Sequence, residues 1–411
     1  MANKQLDPTI LDLQTSLESD TELHELCCSM IAEATSGRAV TAKGSFAISS
    51  VQTLMEQLDS AMSHAPEWPQ ATDDLHSLAG LPFNQTLLNL METPSGRALF
   101  KRMEVNQHLK AILKKWAEFL ETRDSLYVLN GRNGWLSRGA IAKLEDMANR
   151  ATGHHRSFTE LYECPNESDS DTLGFQSWDA FFSRRFKPDV RPLPCPRSLN
   201  TLPGTPILNS CESKPWQISR HCSVDDEFSL KGQLYSLRDM LGNDPLTDHF
   251  HNGTVYQGYL SALSYHGWHS PVSGTIVRVH YIDGSYFSQL PMSDPLAMEK
   301  SQSYLANVAT RAVVIIETPE PSIGLVCFIA VGMGEVSSCV ATVREGDHVE
   351  AGDEIGGFHY GGSTHCLVFS GKTHVEFEEH VGDEGVSTTC NVPVRGMLAR
   401  CFPKPIEAIG R

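Results

Sequence analysis

Two short stretches of this chain carry residues whose types and spacing could do chemistry: Gly361-Gly362-Ser363-Thr364, and, about a hundred residues upstream, Tyr265-His266-Gly267-Trp268-His269. Glycine has no Cβ, so the peptide bond ahead of Ser363 is unusually deformable, and the serine Oγ can be brought against the Gly362 carbonyl. A serine hydroxyl is a weak nucleophile. It needs a base within hydrogen-bond reach and a third group to orient that base. The expected base is His269, and the expected orienting carboxylate is Glu212 of Ser210-Cys211-Glu212-Ser213. Read alone, Gly-Gly-Ser-Thr is also an ordinary turn. The pair of histidines shifts the balance toward chemistry, because an imidazole with its ordinary pKa near 6.5 both gives and takes protons at neutral pH.

These residues need elements to hold them. Residues 1–162 read as a helical domain, with apolar residues three and four apart and few β-branched runs. Leu109, Ile112, Leu113, Trp116 and Leu120 form one helix face, opposite Lys110, Lys114, Lys115 and Glu118. That face is read as packed on the domain core, with a basic amphipathic membrane contact as the alternative. A linker over 163–206 follows, beginning with the polar loop 163–172 and continuing through a series of prolines. From 207 to 411 the pattern turns to β-branched strands. Thr275–Ile282 is one; Ala312–Glu317 and Leu325–Val331 form a hairpin, and Gly346–Gly356 reads as another. The fold class is therefore α+β, a helical N-terminal part followed by an antiparallel β-rich domain, with Ser363 at a turn between strands.

Charge and composition narrow the function. Thirty-three Lys and Arg against 50 Asp and Glu give a net charge of −17, a poor match to nucleic acid or to anionic lipid. No apolar run reaches the roughly 18 residues a spanning helix needs, and the first residues lack the pattern of a signal peptide. The expectation is a cytoplasmic protein with reduced thiols, since eleven scattered cysteines form no disulfide framework and no Cys-x-x-Cys for a metal. Other signatures fail on single residues. His365 stands where a Gly-x-Ser-x-Gly elbow needs glycine, Cys366 where a phosphate-binding loop needs it, and no lysine lies between Arg344 and Lys372 to carry biotin or lipoate.

The Gly-Gly-Ser-Thr and Tyr-His-x-x-His elements, in this order and near this spacing, resemble the phosphatidylserine decarboxylase family of pyruvoyl enzymes. Residues 175–186 (FQSWDAFFSRRF) with Lys187-Pro188 and Arg191-Pro192, and the stretch 346–358 before Gly361, resemble it too, so the resemblance runs from about 175 to the C-terminus. It implies cleavage between Gly362 and Ser363. Ser363 Oγ attacks the Gly362 carbonyl, an ester replaces the amide, β-elimination frees the Gly362 carboxylate, and residue 363 becomes a pyruvoyl group. The two chains so made stay associated. It also implies that the second histidine, His269, assists cleavage, and that the first, His266, returns a proton to the substrate carbon after a Schiff base has lost CO2. The family usually has Asp in Pro-x-Asp-Gly where this chain has Glu212, and often Arg where it has Gly267. Those departures, and the absence of an anchor, look more like the soluble fungal branch that acts on free amino acids, tryptophan among them. The expected substrate is a free amino acid, aromatic first. The alternatives are phosphatidylserine, and a non-enzymatic β-sandwich binding protein that is never cut. Homo-oligomerisation is left open.

Overall fold

A computed structural model describes residues 5–36, 48–69, 80–195, 203–224, 235–292, 300–321, 323–335, 337–359, 363–382 and 391–404. The first helices are α1 (Pro8–Ser19), α2 (Thr21–Ser36), α3 (Val51–Ala61), α4 (Pro82–Met91), α5 (Pro94–Leu99), α6 (Met103–Leu120) and α7 (Arg138–Arg150). Their starts are marked in the sequence. Asp7 accepts a hydrogen bond from the Thr9 N–H ahead of Pro8, and Ser50 and Thr53 form a reciprocal cap on α3. On α6 the face Leu109, Ile112, Leu113, Trp116 and Leu120 is buried in the core. Among its lysines, Lys115 pairs with Glu118 and Lys110 with Asp283 of the β-rich part. Two short helices follow, α8 (Phe158–Leu161) and α9 (Trp178–Phe182).

The β-rich part opens with β1 (Thr205–Leu208), β2 (Lys214–Cys222), β3 (Gly253–Leu260), β4 (Gly267–His269) and β5 (Gly274–Ile282). It continues through β6 (Arg311–Glu317), β7 (Leu325–Val331), β8 (Ser338–Ala341), β9 (His348–Val349) and β10 (Glu354–His359) to β11 (Ser363–Phe369), β12 (Thr373–Phe377) and β13 (Met397–Pro403). Two helices absent from the sequence reading, α10 (Leu237–Leu241) and α11 (Gln302–Val308), lie between strands. A seven-stranded antiparallel sheet has the order β2-β3-β11-β7-β6-β5-β9, beside the three-stranded sheets β1-β13-β12 and β4-β10-β8. The fold is α+β.

Both faces of the large sheet are covered. Along β6, Val313 and Ile315 join a hydrophobic cluster that extends into the N-terminal helices, while Ala312, Val314 and Ile316 join a second cluster with β1, β12 and β13. This two-sided burial explains why β6 reads as an unbroken apolar run instead of an alternating one. The expected hairpin of β6 and β7 is present. The hairpin expected over Gly346–Gly356 is not, because β9 pairs with β5 whereas β10 pairs with β4 and β8. Ser270, just past β4, bonds the turn between β9 and β10: its N–H donates to the Asp353 carbonyl and its carbonyl accepts from Gly352 N–H, where the chain turns at φ +91°.

Candidate active site

Ser363 opens β11, the strand between β3 and β7 in the large sheet, with its backbone in register with Leu260. Gly361, Gly362 and the Ser363 side chain lie outside the described residues, and with them the expected geometry of attack. The next residue is firmly held. Thr364 Oγ1 donates to the Gly258 carbonyl at 2.9 Å and accepts from Gln257 Nε2 at 3.1 Å. Beyond Leu260 the chain turns, Ser264 N–H donating to the Ser261 carbonyl, and reaches Tyr265 and His266 within a few residues. The register of β3 on β11 thus sets Leu260 opposite Ser363, five residues before the Tyr-His-x-x-His element begins.

His269 is buried and both its ring nitrogens are bonded. Nδ1 lies 2.8 Å from the Gly352 carbonyl, which can only accept, so Nδ1 carries the proton. Nε2 is left with its lone pair and accepts from the Tyr265 hydroxyl at 3.0 Å. Burial pushes the His269 pKa down to about 4, and neighbouring Arg395 and Arg185 add to the effect against the Gly352 bond. The ring is therefore a neutral base of fixed tautomer. Gly267 makes the arrangement possible, since a Cβ there would come within 2.2 Å of the Tyr265 oxygen.

Glu212 does not orient His269. Its carboxylate takes a two-pronged ion pair from Arg191, 2.6 Å from Nη2 and 3.0 Å from Nε, and a third bond from Val394 N–H at 2.9 Å. The physical reason is charge: a fully buried carboxylate pairs with a buried guanidinium in preference to a neutral imidazole. The orienting role expected of Glu212 is filled by the Gly352 carbonyl.

His266 is more deeply buried, yet neither ring nitrogen makes a hydrogen bond of normal geometry among the described residues. Its ring lies face to face with Phe182 at 4.0 Å. Burial, reinforced by the Arg184 charge, holds its pKa well below the ordinary value; the Ser261 backbone, close by but outside normal hydrogen-bond geometry, opposes the shift. Phe182 belongs to a segment with several contacts around these residues. Asp179 of α9 accepts from His359 Nδ1–H at 2.8 Å, Arg185 pairs with Glu354, Phe186 stacks on Tyr265 at 4.8 Å, and Arg191 holds Glu212. The sequence reading recognised residues 175–191 as a family-like segment but assigned none of them a place in the site. The aromatic and basic density of FQSWDAFFSRRF was the available signal.

Residues 178–388 match the family model described as phosphatidylserine decarboxylase, and residues 7–144 match a second model of that description. The chain is 41% identical to decarboxylase iboD of Amanita muscaria, across 74% of this chain and 87% of the relative. To an L-tryptophan decarboxylase of Psilocybe cubensis it is 34% identical, across 78% of this chain and 74% of the relative. To phosphatidylserine decarboxylase proenzyme 2 of Oryza sativa it is also 34% identical, across 50% of this chain and 31% of the relative.

Proposed function

The chain belongs to the phosphatidylserine decarboxylase family, whose enzymes are pyruvoyl-dependent decarboxylases, and from that premise we propose that it cuts itself at Gly362–Ser363 and then decarboxylates a free amino acid, aromatic ones first. The observation that supports the choice of substrate is the level of identity over most of the chain. Decarboxylase iboD and the relative named for L-tryptophan are 41% and 34% identical through most of both chains, whereas the phosphatidylserine decarboxylase proenzyme of Chlamydia muridarum, matched across 67% of this chain and 87% of the relative, is 29% identical. Among the described residues no helix is long and apolar enough to cross a membrane, and the apolar face of α6 is consumed by the core.

One feature supports the cofactor reading: His266 follows β3, the strand in register with residue 363, by six residues, and its two buried ring nitrogens have no partner of normal hydrogen-bond geometry among the described residues, so a group bound there would give them one. When formed, the pyruvoyl ketone supplies an electrophile for the substrate amine and accepts the electrons that CO2 leaves behind. The chain's own residues do the rest. His269 offers Nε2 as the base for the Ser363 hydroxyl, through the Tyr265 hydroxyl or in its place, while the Gly352 carbonyl fixes the tautomer. His266 handles the proton that returns to the substrate carbon. Once cut, the C-terminal chain stays attached because β11 is hydrogen-bonded to β3 on one side and β7 on the other.

Intact-mass analysis tests the proposal. Wild-type protein should give fragments 1–362 and 363–411, the second with a blocked N-terminus, and Ser363→Ala should stay whole and inactive. Incubation with single amino acids and cyanoborohydride should add one decarboxylated amine to the 363–411 fragment. Uncut wild-type protein that still decarboxylates would end the self-processing reading; product from phosphatidylserine vesicles and none from the free amino acids would move the substrate to the phospholipid.

A further inference from the structure

A decarboxylase must put a proton where CO2 was. His266 is poorly placed to store one, because a charged imidazole with 1% exposure and a guanidinium nearby would lie in an apolar setting with no counter-ion. A buried neutral imidazole can pass a proton, one nitrogen donating while the other accepts, but another group has to hold it. His359 is the neighbouring candidate. It ends β10, whose Phe358 N–H donates to the His266 carbonyl at 2.9 Å and whose Gly357 is in register with Gly267. Its Nδ1–H is held by Asp179 at 2.8 Å, and Asp179 lies three residues from the Phe182 that stacks on His266. One short helix, α9, therefore sets both imidazoles. At 27% side-chain exposure His359 also keeps contact with solvent, from which a proton can be replaced.

We propose that the Asp179–His359 pair is the proton store of this site and that it feeds the substrate carbon through His266. This rests on the decarboxylase reading above. As CO2 departs, its bonding electrons remain with the α-carbon; a proton from His266 joins that pair to make the new C–H bond, His359 replaces the proton on His266, and water reloads His359. Atoms and charge balance: amino acid and one proton become amine and CO2. The groups facing His359 agree with storage. Burial alone would lower its pKa, but the hydrogen bond and charge of Asp179, with the Glu121 carboxylate at the end of α6, raise it above the ordinary value; His266, across the strands, stays neutral. His359 acts here as a positioned proton carrier and is distinct from the Tyr265–His269 pair assigned to cleavage.

The test separates storage from scaffolding. In uncut Ser363→Ala protein, a histidine NMR titration should show His359 titrating above 6.5, identified by its loss in His359→Gln or by sequential assignment if that variant does not fold. Asp179→Asn should move that titration down. In the processed enzyme the protonated form of His359 is the active one, so kcat should fall as pH rises through its pKa, and Asp179→Asn should shift this alkaline limb to lower pH. His359→Gln should be cut normally and lose the limb, with kcat down about ten-fold or more. His359 titrating at or below 6.5, or variants with wild-type kcat and an unmoved limb, would overturn the proposal, as would failure of His359→Gln to be cut, which would assign the pair to cleavage. A wild-type protein that yields no amine defeats the functional reading and its kinetic arm, leaving the titration to decide the pair.

Discussion

His269 and His266 stand three residues apart and are both buried, yet one is fully hydrogen-bonded and the other makes no hydrogen bond among the described residues. Around His269 the chain fixes a tautomer: a carbonyl takes Nδ1–H, a tyrosine donates to Nε2, and Gly267 leaves room for that tyrosine. Around His266 it stacks the ring on Phe182 and, among the described residues, gives neither nitrogen a hydrogen bond of normal geometry. An unsatisfied buried polar atom costs about 1–3 kcal/mol, a cost natural proteins accept chiefly at functional sites. The contrast matches two jobs. Self-cleavage happens once, within the chain, so its base can be built complete; turnover brings in a substrate, and the nitrogens that serve it are left open.

The comparison breaks first at the histidines themselves. His269→Ala should leave the chain whole, with the cleavage rate down by about 10²–10⁴-fold as for loss of a general base, while His266→Ala should be cut and turn over slowly. A time course of intact mass, followed by amine release from whatever is cut, reads both. Equal cleavage in the two variants would remove the division of labour.

A smaller effect probes the His269 side alone. In Gly267→Ala the new methyl group meets the Tyr265 ring and hydroxyl, the nearest atom at 2.2 Å, so Tyr265 must leave His269 Nε2. Losing one such bond is worth about 0.5–1.5 kcal/mol, which is up to roughly ten-fold in cleavage rate. Turnover by the protein that does get cut should change less. If cleavage is instead as fast as wild type, the tyrosine bond plays no part in it.

What could be read in the sequence follows the reach of the interactions. The α6 face and the β6–β7 hairpin were legible because a period of 3.6 or a run of β-branched residues is local information. Helices α10 and α11, five and seven residues long, are too short to show a period. Ser363, His266 and His269 stood out by motif, but their partners did not. Glu212 could be suspected as a site acid; that Arg191 would claim it depends on a salt bridge between two buried groups. Likewise Asp179 meets His359 across 180 residues, and Gly352 meets His269 through a turn pinned by Ser270. The same long reach brings residues from both sides of 162 into one hydrophobic cluster, from α1 to the large sheet.

The smallest expected effect sharpens the His266 side. Phe182 is fully buried, and its ring covers the His266 ring at 4.0 Å and 27°. Leucine at 182 would keep much of the apolar volume but lose the aromatic contact, worth about 0.5–1.5 kcal/mol, so the imidazole would sample more orientations. Among the described residues no hydrogen bond of normal geometry fixes His266, so stacking is a main restraint on it, and a wandering ring presents its N–H correctly for a smaller share of the time. Phe182→Leu should therefore lower kcat by a few-fold, up to about ten-fold, with KM nearly unchanged. Cleavage should proceed at the wild-type rate, since the ring nitrogens of His269 are held by Tyr265 and Gly352 and not by Phe182. The two readouts come from one preparation, by following chain cutting first and amine release afterwards. If cutting slows as much as turnover, the two histidines share a single packing unit, and the difference between them is one of hydrogen bonding without a difference in task.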